Sequence, residues 1–383
     1  MERAIVLVGG AGSGVRTVSG GKPKALLKVA GKSVVERIIE NLLACNLKEI
    51  ILVSDQPPLF EDVTLKYGDV VDIQVVKQIS DGIRNAILSA RDMFDKPSLL
   101  IYGDTLVPHE AYRMVINAYV TYGKPVIMVV PEEDVKLYGA VSISESNKVI
   151  DFVEKPSKDI DGAYAYGGIA IFDKEVIEVL EESAGVDDAI KKYTNRRTLK
   201  AAIWSGWWVD IGFPWDLLKA NYYILNELDG VWISSKASIA PTAVVKGPLI
   251  IEDDVTVDHY TILEGPLFIG RGVDVSTHSI VGRYSSLEEG TYVDTYSEIF
   301  WSSIQPKAVI GRNSYINLAV VGSEAVIESN VITAADIRKD LLLQAIVSKS
   351  LTLSKALSNT LRLGSFVGSK TKVKAGSIMR TST

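Results

Sequence analysis

The chain has 383 residues, 47% of them apolar and 23% charged, with a formal charge of −6 at neutral pH. At about 100–200 residues per domain this length suggests two domains, and the composition excludes a disordered, collagen-like or disulfide-stapled chain. The lone cysteine, Cys45, cannot form an internal disulfide, no apolar run reaches the ~18 residues of a membrane span, and the mildly acidic balance argues against a general nucleic-acid binder, so a cytoplasmic protein with no membrane and no nucleic-acid partner is expected.

Met1–Val8 enters an apolar strand, Ala4–Val8, without a basic leader, so no signal peptide is expected. The strand runs into Gly9-Gly10-Ala11-Gly12-Ser13-Gly14, where glycines let backbone N–H groups approach a phosphate closely. A Walker A loop needs lysine after its last glycine, but Val15 follows Gly14. A dinucleotide fingerprint needs an acidic residue about 20 positions on, but that region is the lysine-rich Lys22–Val29. A loop wrapping a nucleoside triphosphate with help from Lys24 remains, beside a plain tight turn.

Ser33–Leu43 carries a helical apolar stripe, and Cys45, in the helical run Glu36–Leu47, reads as a small buried apolar residue. Glu49–Val53, Asp72–Val76 and Ser98–Tyr102 are predicted strands, with a helix over Ile83–Met93. Strands that are apolar throughout and separated by helices predict a mainly parallel sheet covered on both faces. Further strands are expected at Pro125–Val130, Ala140–Ile143, Val149–Glu154 and Gly167–Phe172, with a last helix over Leu217–Leu228.

From Ile233 the period becomes six: Ile233, Ile239, Val245, Ile251, Val257, Leu263, Ile269, Val275, Val281, Leu287, Val293 and Ile299 are all Ile, Leu or Val. Such hexads build a parallel β-helix with three hexads per coil and the aliphatic residue pointing inward. The phase breaks at Gln305 and resumes at Ile310 and Ile316; Val367, Val373 and Met379 suggest a final coil, with 331–362 as an excursion loop. The expected domains are therefore 1–230 and 231–383. Exposed coil ends call for capping or subunit contact, so a homo-oligomer is expected. Residues 341–383 hold seven cations (Lys349, Lys355, Arg362, Lys370, Lys372, Lys374, Arg380) and no carboxylate, leaving −13 on residues 1–340. This reads as a solvated face or as a site for a phosphorylated ligand or acidic partner.

Leu7-Val8-Gly9-Gly10-Ala11-Gly12-Ser13 followed by Lys22-Pro23-Lys24-Ala25-Leu26-Leu27 resembles the opening of the sugar-1-phosphate nucleotidylyltransferases. Gln78 with Gly82, Tyr102-Gly103-Asp104, Tyr138-Gly139, Glu154-Lys155-Pro156, Gly167-Gly168-Ile169 and Trp208-Val209-Asp210-Ile211-Gly212 follow in the family's order. The resemblance implies a Rossmann-like α/β nucleotidyltransferase domain followed by a left-handed parallel β-helix, as in bifunctional N-acetylglucosamine-1-phosphate uridylyltransferases. It implies joining of a nucleoside triphosphate to a sugar 1-phosphate with release of pyrophosphate. Asp104 and Asp210 would hold Mg²⁺, and Lys24 and Arg16 would serve the phosphates. Gly9, Gly10, Gly12, Ser13, Gln78 and Gly82 would bind the nucleotide, and Gly139, Glu154, Lys155 and Gly168 the sugar phosphate. Trp204, Trp207, Trp208 and Trp215 read as packing residues.

Three positions depart from the family pattern. Gly14 stands where a triphosphate-binding arginine is usual; placing arginine there is expected to raise the rate if the fold accepts it. Gly82-Ile83-Arg84 replaces Gly-Thr and adds a charge near the base, and Tyr166 replaces an asparagine beside the sugar pocket. These departures open a second reading, a weak or inactive paralogue that binds nucleotide and regulates an active partner subunit. A third is acetyl transfer in the β-helix, which needs a general base. Of the three histidines, His109 is in the first domain, His259 and His278 fall in early coils and read as turn residues, and Arg312 lies near the family's base position.

Overall fold

The computed structural model describes residues 1–10, 12–132, 134–333 and 361–379. The chain forms two compact units: Met1–Gly10 with Val34–Asp210, and Ala11–Ser33 with Ile211–Thr383. The change of period falls at Val231, where the first coil strand begins, whereas compactness joins residues 11–33 and 211–230 to the coils.

The first unit is built on a nine-stranded sheet. Its main path runs Val149–Glu154, Gly139–Ile143, Tyr164–Phe172, Ser98–Tyr102, Arg3–Leu7, Glu49–Ser54 and Asp72–Lys77, with Val126–Val130 and Lys200–Ile203 attached beside Tyr164–Phe172. The four strands from Ser98–Tyr102 to Asp72–Lys77 are parallel, and three of them are almost wholly buried, as strands with helices on both faces must be. The other half is largely antiparallel: Tyr164–Phe172 pairs antiparallel with Ser98–Tyr102, Val126–Val130 and Gly139–Ile143. Apolar runs alone do not distinguish these two modes of pairing.

Helix Val34–Ala44 buries Val34, Val35, Ile38, Ile39 and Leu42, the predicted stripe. The predicted helix at 83 is shorter than expected: it ends at Ser89, and a 3₁₀ turn over Arg91–Phe94 follows. Helix His109–Tyr122, absent from the sequence reading, stops at Gly123 in the left-handed region, where glycine lacks a Cβ penalty. Asp173 caps Lys174–Glu181 by accepting from the Val176 amide at 3.1 Å, satisfying one donor the helix leaves open.

In the second unit, three seven-stranded parallel sheets stack as a left-handed parallel β-helix. Inward aliphatics form one column per sheet, such as Ile251, Ile269, Leu287 and Ile304, and all four are fully buried. Early coils advance 18 residues, as in Ile269↔Leu287. From Leu287↔Ile304 the step is 17, because the corner between Ile299 and Ser303 is one residue shorter than that between Val281 and Ser286. This explains the break of phase: Ile304 takes the inward position, and Gln305 follows it. Val367 and Val373 pair with Val321 and Ile327, and Met379 with Thr333, so the predicted final coil exists. Most of the expected excursion, 334–360, lies outside the described residues, as do Lys349, Lys355 and Arg380.

Candidate active site

Gly9, Gly10, Gln78 and Asp104 follow the carboxyl ends of the first unit's parallel strands, where open α/β sheets bind ligands, while Gly139, Glu154 and Gly168 lie on its antiparallel strands. Just beyond three adjacent strands, the Val8 amide donates to Val53 O at 2.9 Å and the Gln78 amide to Ser54 O at 2.8 Å. A Cβ on Gly9 would stand 2.5 Å from Gln78 Oε1 and 3.2 Å from the Asp55 nitrogen, so only glycine lets the Gln78 amide group lie against this loop. Asp55, missed in the sequence, accepts from the Gly10 amide at 3.0 Å. Its only signal was its place just past a strand beside the glycine run. Gln78 donates to Ser80 O at 2.7 Å, and Gly82 has φ 99° and ψ 151°, a conformation open essentially to glycine. Arg84 does not bring its charge to the base. Its guanidinium donates to Leu180 O at 3.2 Å and Glu181 O at 2.8 Å, at the end of helix Lys174–Glu181.

A two-stranded antiparallel ladder sets the backbones of the two candidate metal residues near each other. Val209–Asp210 pairs with Thr105–Leu106 so that Asp210 lies opposite Thr105, the residue after Asp104. Both also bear on the phenol of Tyr102: burial pushes it well above its ordinary range, and the charges of Tyr166, Glu154, Asp104 and Asp210 add to this. Tyr166 is buried, edge-on to Tyr102 at 5.4 Å and to Phe152 at 5.7 Å, and burial and then Glu154 raise its phenol. The residue that departs from the family pattern is thus part of an aromatic wall beside the carboxylates.

Strand Tyr164–Phe172 bulges between Tyr166 and Ala170. At the bulge Gly168 has φ 75°, and a Cβ there would lie 2.4 Å from Thr105 Oγ1. Trp208 is buried and donates to Gly167 O at 3.2 Å, and Trp204 donates to Trp207 O at 3.0 Å, as packing residues do. Gly139 pairs with Glu154, and a Cβ on Gly139 would press on Phe152 at 2.6 Å and Glu154 Oε2 at 3.2 Å. Glu154 is solvent-exposed, yet neighbouring protein atoms partly desolvate its carboxyl. That desolvation raises its carboxyl, against Lys155 and with Asp187. Lys155 follows at φ 43°.

The remaining predicted residues, Gly12, Ser13, Arg16 and Lys24, belong to the second unit. Gly12 has φ 63°, and a Cβ there would meet the Lys24 stem at 3.0 Å, so Lys24 lies over the second half of the glycine run. Ser13 and Arg16 are exposed, and Arg16 begins the short helix Arg16–Ser19. Gly14 does not accept a side chain: its Cβ would stand 2.3 Å from Gly212 O and 2.9 Å from the Phe213 ring. The expectation that arginine at this position speeds the reaction therefore fails on geometry. Asp216 fixes the facing turn by accepting from the Gly212 amide at 3.0 Å and the Phe213 amide at 2.7 Å. Burial raises its carboxyl to about 6, opposed by those amides and by Lys219 and Arg362.

The early histidines sit in coil turns, with His278 at φ 59° between the rings of Tyr260 and Tyr296. Cys45 is half-buried, and burial raises its thiol. Of the described C-terminal cations, Lys372 pairs with Glu328 at 2.6 Å, and Arg362 lies over the Trp215 ring at 5.8 Å.

A family model described as Nucleotidyl transferase matches residues 3–227, the stretch that supplies every residue of this site. The chain belongs to the nucleotidyl transferase family. It is 30% identical over 341 residues to the bifunctional protein GlmU of Methanocaldococcus jannaschii, spanning 86% of this chain and 80% of that one. It is 28% identical over 375 residues to a bifunctional sugar-1-phosphate nucleotidylyltransferase/acetyltransferase of Sulfurisphaera tokodaii, spanning 96% and 90%. A solved structure, UDP-glucose pyrophosphorylase from Acinetobacter baumanii, shares the fold with a TM-score of 0.51 at 21% identity, over 59% of this chain and 95% of that one. The enzyme is therefore a nucleotidyltransferase with a β-helix, as the ordered motifs implied. Among the described residues no helix is long and apolar enough to cross a membrane.

The donor set at Asp104 and Asp210 suits a hard divalent cation. Both carboxylates bear on the one phenol of Tyr102, and no group of three or more His, Cys, Asp or Glu among the described residues forms a closed cage. Such a pair fits a cation that keeps waters and phosphate oxygens in its shell.

Proposed function

We propose that this enzyme joins a nucleoside triphosphate to a sugar 1-phosphate, forming a nucleoside-diphosphate sugar and pyrophosphate. The observation that carries the reading is the ladder that sets Asp210 opposite Thr105, beside Asp104, against the aromatic wall of Tyr102 and Tyr166. A phosphate oxygen of the sugar attacks the α-phosphorus in line. The bond to the bridging oxygen breaks, and pyrophosphate leaves with that electron pair. Positioning and charge neutralisation dominate such a reaction. Bound by Asp104 and Asp210, Mg²⁺ would neutralise charge on the phosphates.

In this reading Gly9, Gly10, Gln78 and Gly82 frame the base, with Asp55 holding the loop through the Gly10 amide. Gly12, Ser13, Arg16 and Lys24 take phosphate oxygens. Glu154 accepts from sugar hydroxyls beside Gly139, Lys155 holds the sugar phosphate, and Gly168 lets Thr105 close against the strand. Arg16 supplies the cation that Gly14 cannot. We place the reaction in the cytoplasm, in a homo-oligomer assembled through the β-helix. Acetyl transfer finds no base in the described coils beyond the turn histidines.

The test is pyrophosphate release with Mg²⁺, each of four nucleoside triphosphates and a panel of sugar 1-phosphates. Turnover with one pair, lowered about 10²–10³-fold in Asp104→Asn and Asp210→Asn, is expected. Saturable nucleotide binding without turnover for any pair would replace this reading with that of a regulatory subunit.

A further inference from the structure

The position after the inward aliphatic of the first sheet forms a column down the β-helix: Ser234 and Glu252 in the first two coils, then Gly270, Glu288, Gln305, Gly322 and Gly368. Three are glycine. Of the four that carry side chains, Glu288 and Gln305 are 1% exposed, and both point at one short hairpin, Lys28–Val29 with Lys32–Ser33. Gln305 Oε1 accepts from the Lys28 amide at 3.1 Å, and its Nε2 donates to Lys28 O at 2.9 Å. A single side chain thus does the work of a partner strand at Lys28. Nε2 also donates to Ser303 Oγ at 2.9 Å, which fixes the amide's orientation. Glu288 Oε2 accepts from the Gly31 amide at 2.9 Å, while Ser286 Oγ donates to its other oxygen at 2.5 Å.

The hairpin turn itself is tight, with Ala30 at φ 44° and Gly31 at φ 88°, and a Cβ on Gly31 would meet Phe268 at 2.4 Å. Nearer the chain start, the Ser369 amide donates to Thr17 O at 2.8 Å. Residues 12–33 are therefore pinned to the coils at Thr17, Lys28 and Gly31, and Lys24 lies between the first two pins. A two-residue ladder cannot order such a segment by itself. Two polar side chains buried in this column would be costly unless each met a partner.

We propose that Gln305 and Glu288 are positioning residues for nucleotidyl transfer: the β-helix holds the hairpin 28–33, and through it Lys24, in the conformation that receives the triphosphate. This rests on the reading of Lys24 as a phosphate contact. It gives the solenoid a part in nucleotide binding, and it gives the 17-residue step a purpose, since the shortened corner places Gln305 at Lys28.

The test uses the full chain with Gln305→Met, which keeps volume and removes both backbone bonds, and Glu288→Gln, which keeps an acceptor for Gly31. In Gln305→Met, amide exchange across 24–33 should speed about tenfold, while the coil amides of 303–321 keep wild-type rates. The KM for the nucleoside triphosphate should rise by a similar factor, with kcat and the KM for sugar 1-phosphate unchanged. Glu288→Gln, which loses one of the two acceptor oxygens, should shift both readouts in the same direction by a smaller factor. Unchanged exchange in 24–33 overturns the proposal. So does faster exchange spread through the coils, which would make Gln305 a stabiliser of the β-helix alone, and so does a kinetic effect on the sugar phosphate. If the wild type turns over no pair, nucleotidyl transfer fails, and the exchange of 24–33 still decides whether the clamp exists.

Discussion

The two units place their chemistry-bearing residues by different means. In the first, Gly9, Gln78, Asp104 and Asp210 stand where regular strands end, so sheet register alone sets their spacing. In the second, Gly12, Arg16 and Lys24 lie on a segment with little regular structure, held by side chains that come from nearly 280 residues away in sequence. Carboxylates at strand ends, such as Asp104 and Asp210, tolerate exchange for an isosteric amide because the backbone there is already placed by the sheet. A pinned segment depends on each pin, and close backbone approach there excludes even a Cβ at Gly14.

Substitutions can break this contrast from either side. The largest effect belongs to the carboxylate ladder: Asp104→Asn and Asp210→Asn should each lower kcat by about 10²–10³ with little change in melting temperature, because the ladder is a backbone feature. A fall in stability as large as that of a core deletion would show that the pair is structural.

Gly14→Arg comes next. Its Cβ overlaps the Gly212 carbonyl, so a loss of about 1–3 kcal/mol in unfolding free energy and a lower rate are expected. A faster enzyme with unchanged stability would restore the view of Gly14 as a lost arginine.

The smallest effect concerns Asp216. Its carboxyl is raised to about 6 from an ordinary value near 4, so the folded state binds the extra proton. The contribution is fully present below about pH 4 and is lost as pH rises through about 6. Denaturant unfolding of wild type should therefore lose about 1–3 kcal/mol over that window relative to Asp216→Asn. Parallel pH profiles for the two would place Asp216 outside the buried turn.

The contrast also decides what sequence could reveal. Asp104 was marked in the sequence by its place after an apolar strand, and Asp210 by the ordered set of motifs alone. The coils were legible because a period of six has one structural meaning, and even the break at Gln305 was visible. The attachment of 11–33 to those coils was not, because Gln305 with Lys28 and Glu288 with Gly31 are pairings of distant residues that no local pattern encodes. Arg84 misled for a related reason: spacing put its Cα near the base, while the open carbonyls of Leu180 and Glu181 drew its side chain elsewhere. Asp55 and Tyr102 carry no periodic signal, and their roles appear only once adjacent strands are in register.

Transfer of label tests the central claim most directly. With the productive pair, phosphorus label at the α-position of the nucleoside triphosphate should appear in the nucleoside-diphosphate sugar, and label at the γ-position in pyrophosphate, with both transfers slowed about 10²–10³-fold in Asp104→Asn. Failure of α-label to reach a sugar nucleotide from any of the four triphosphates would contradict the account.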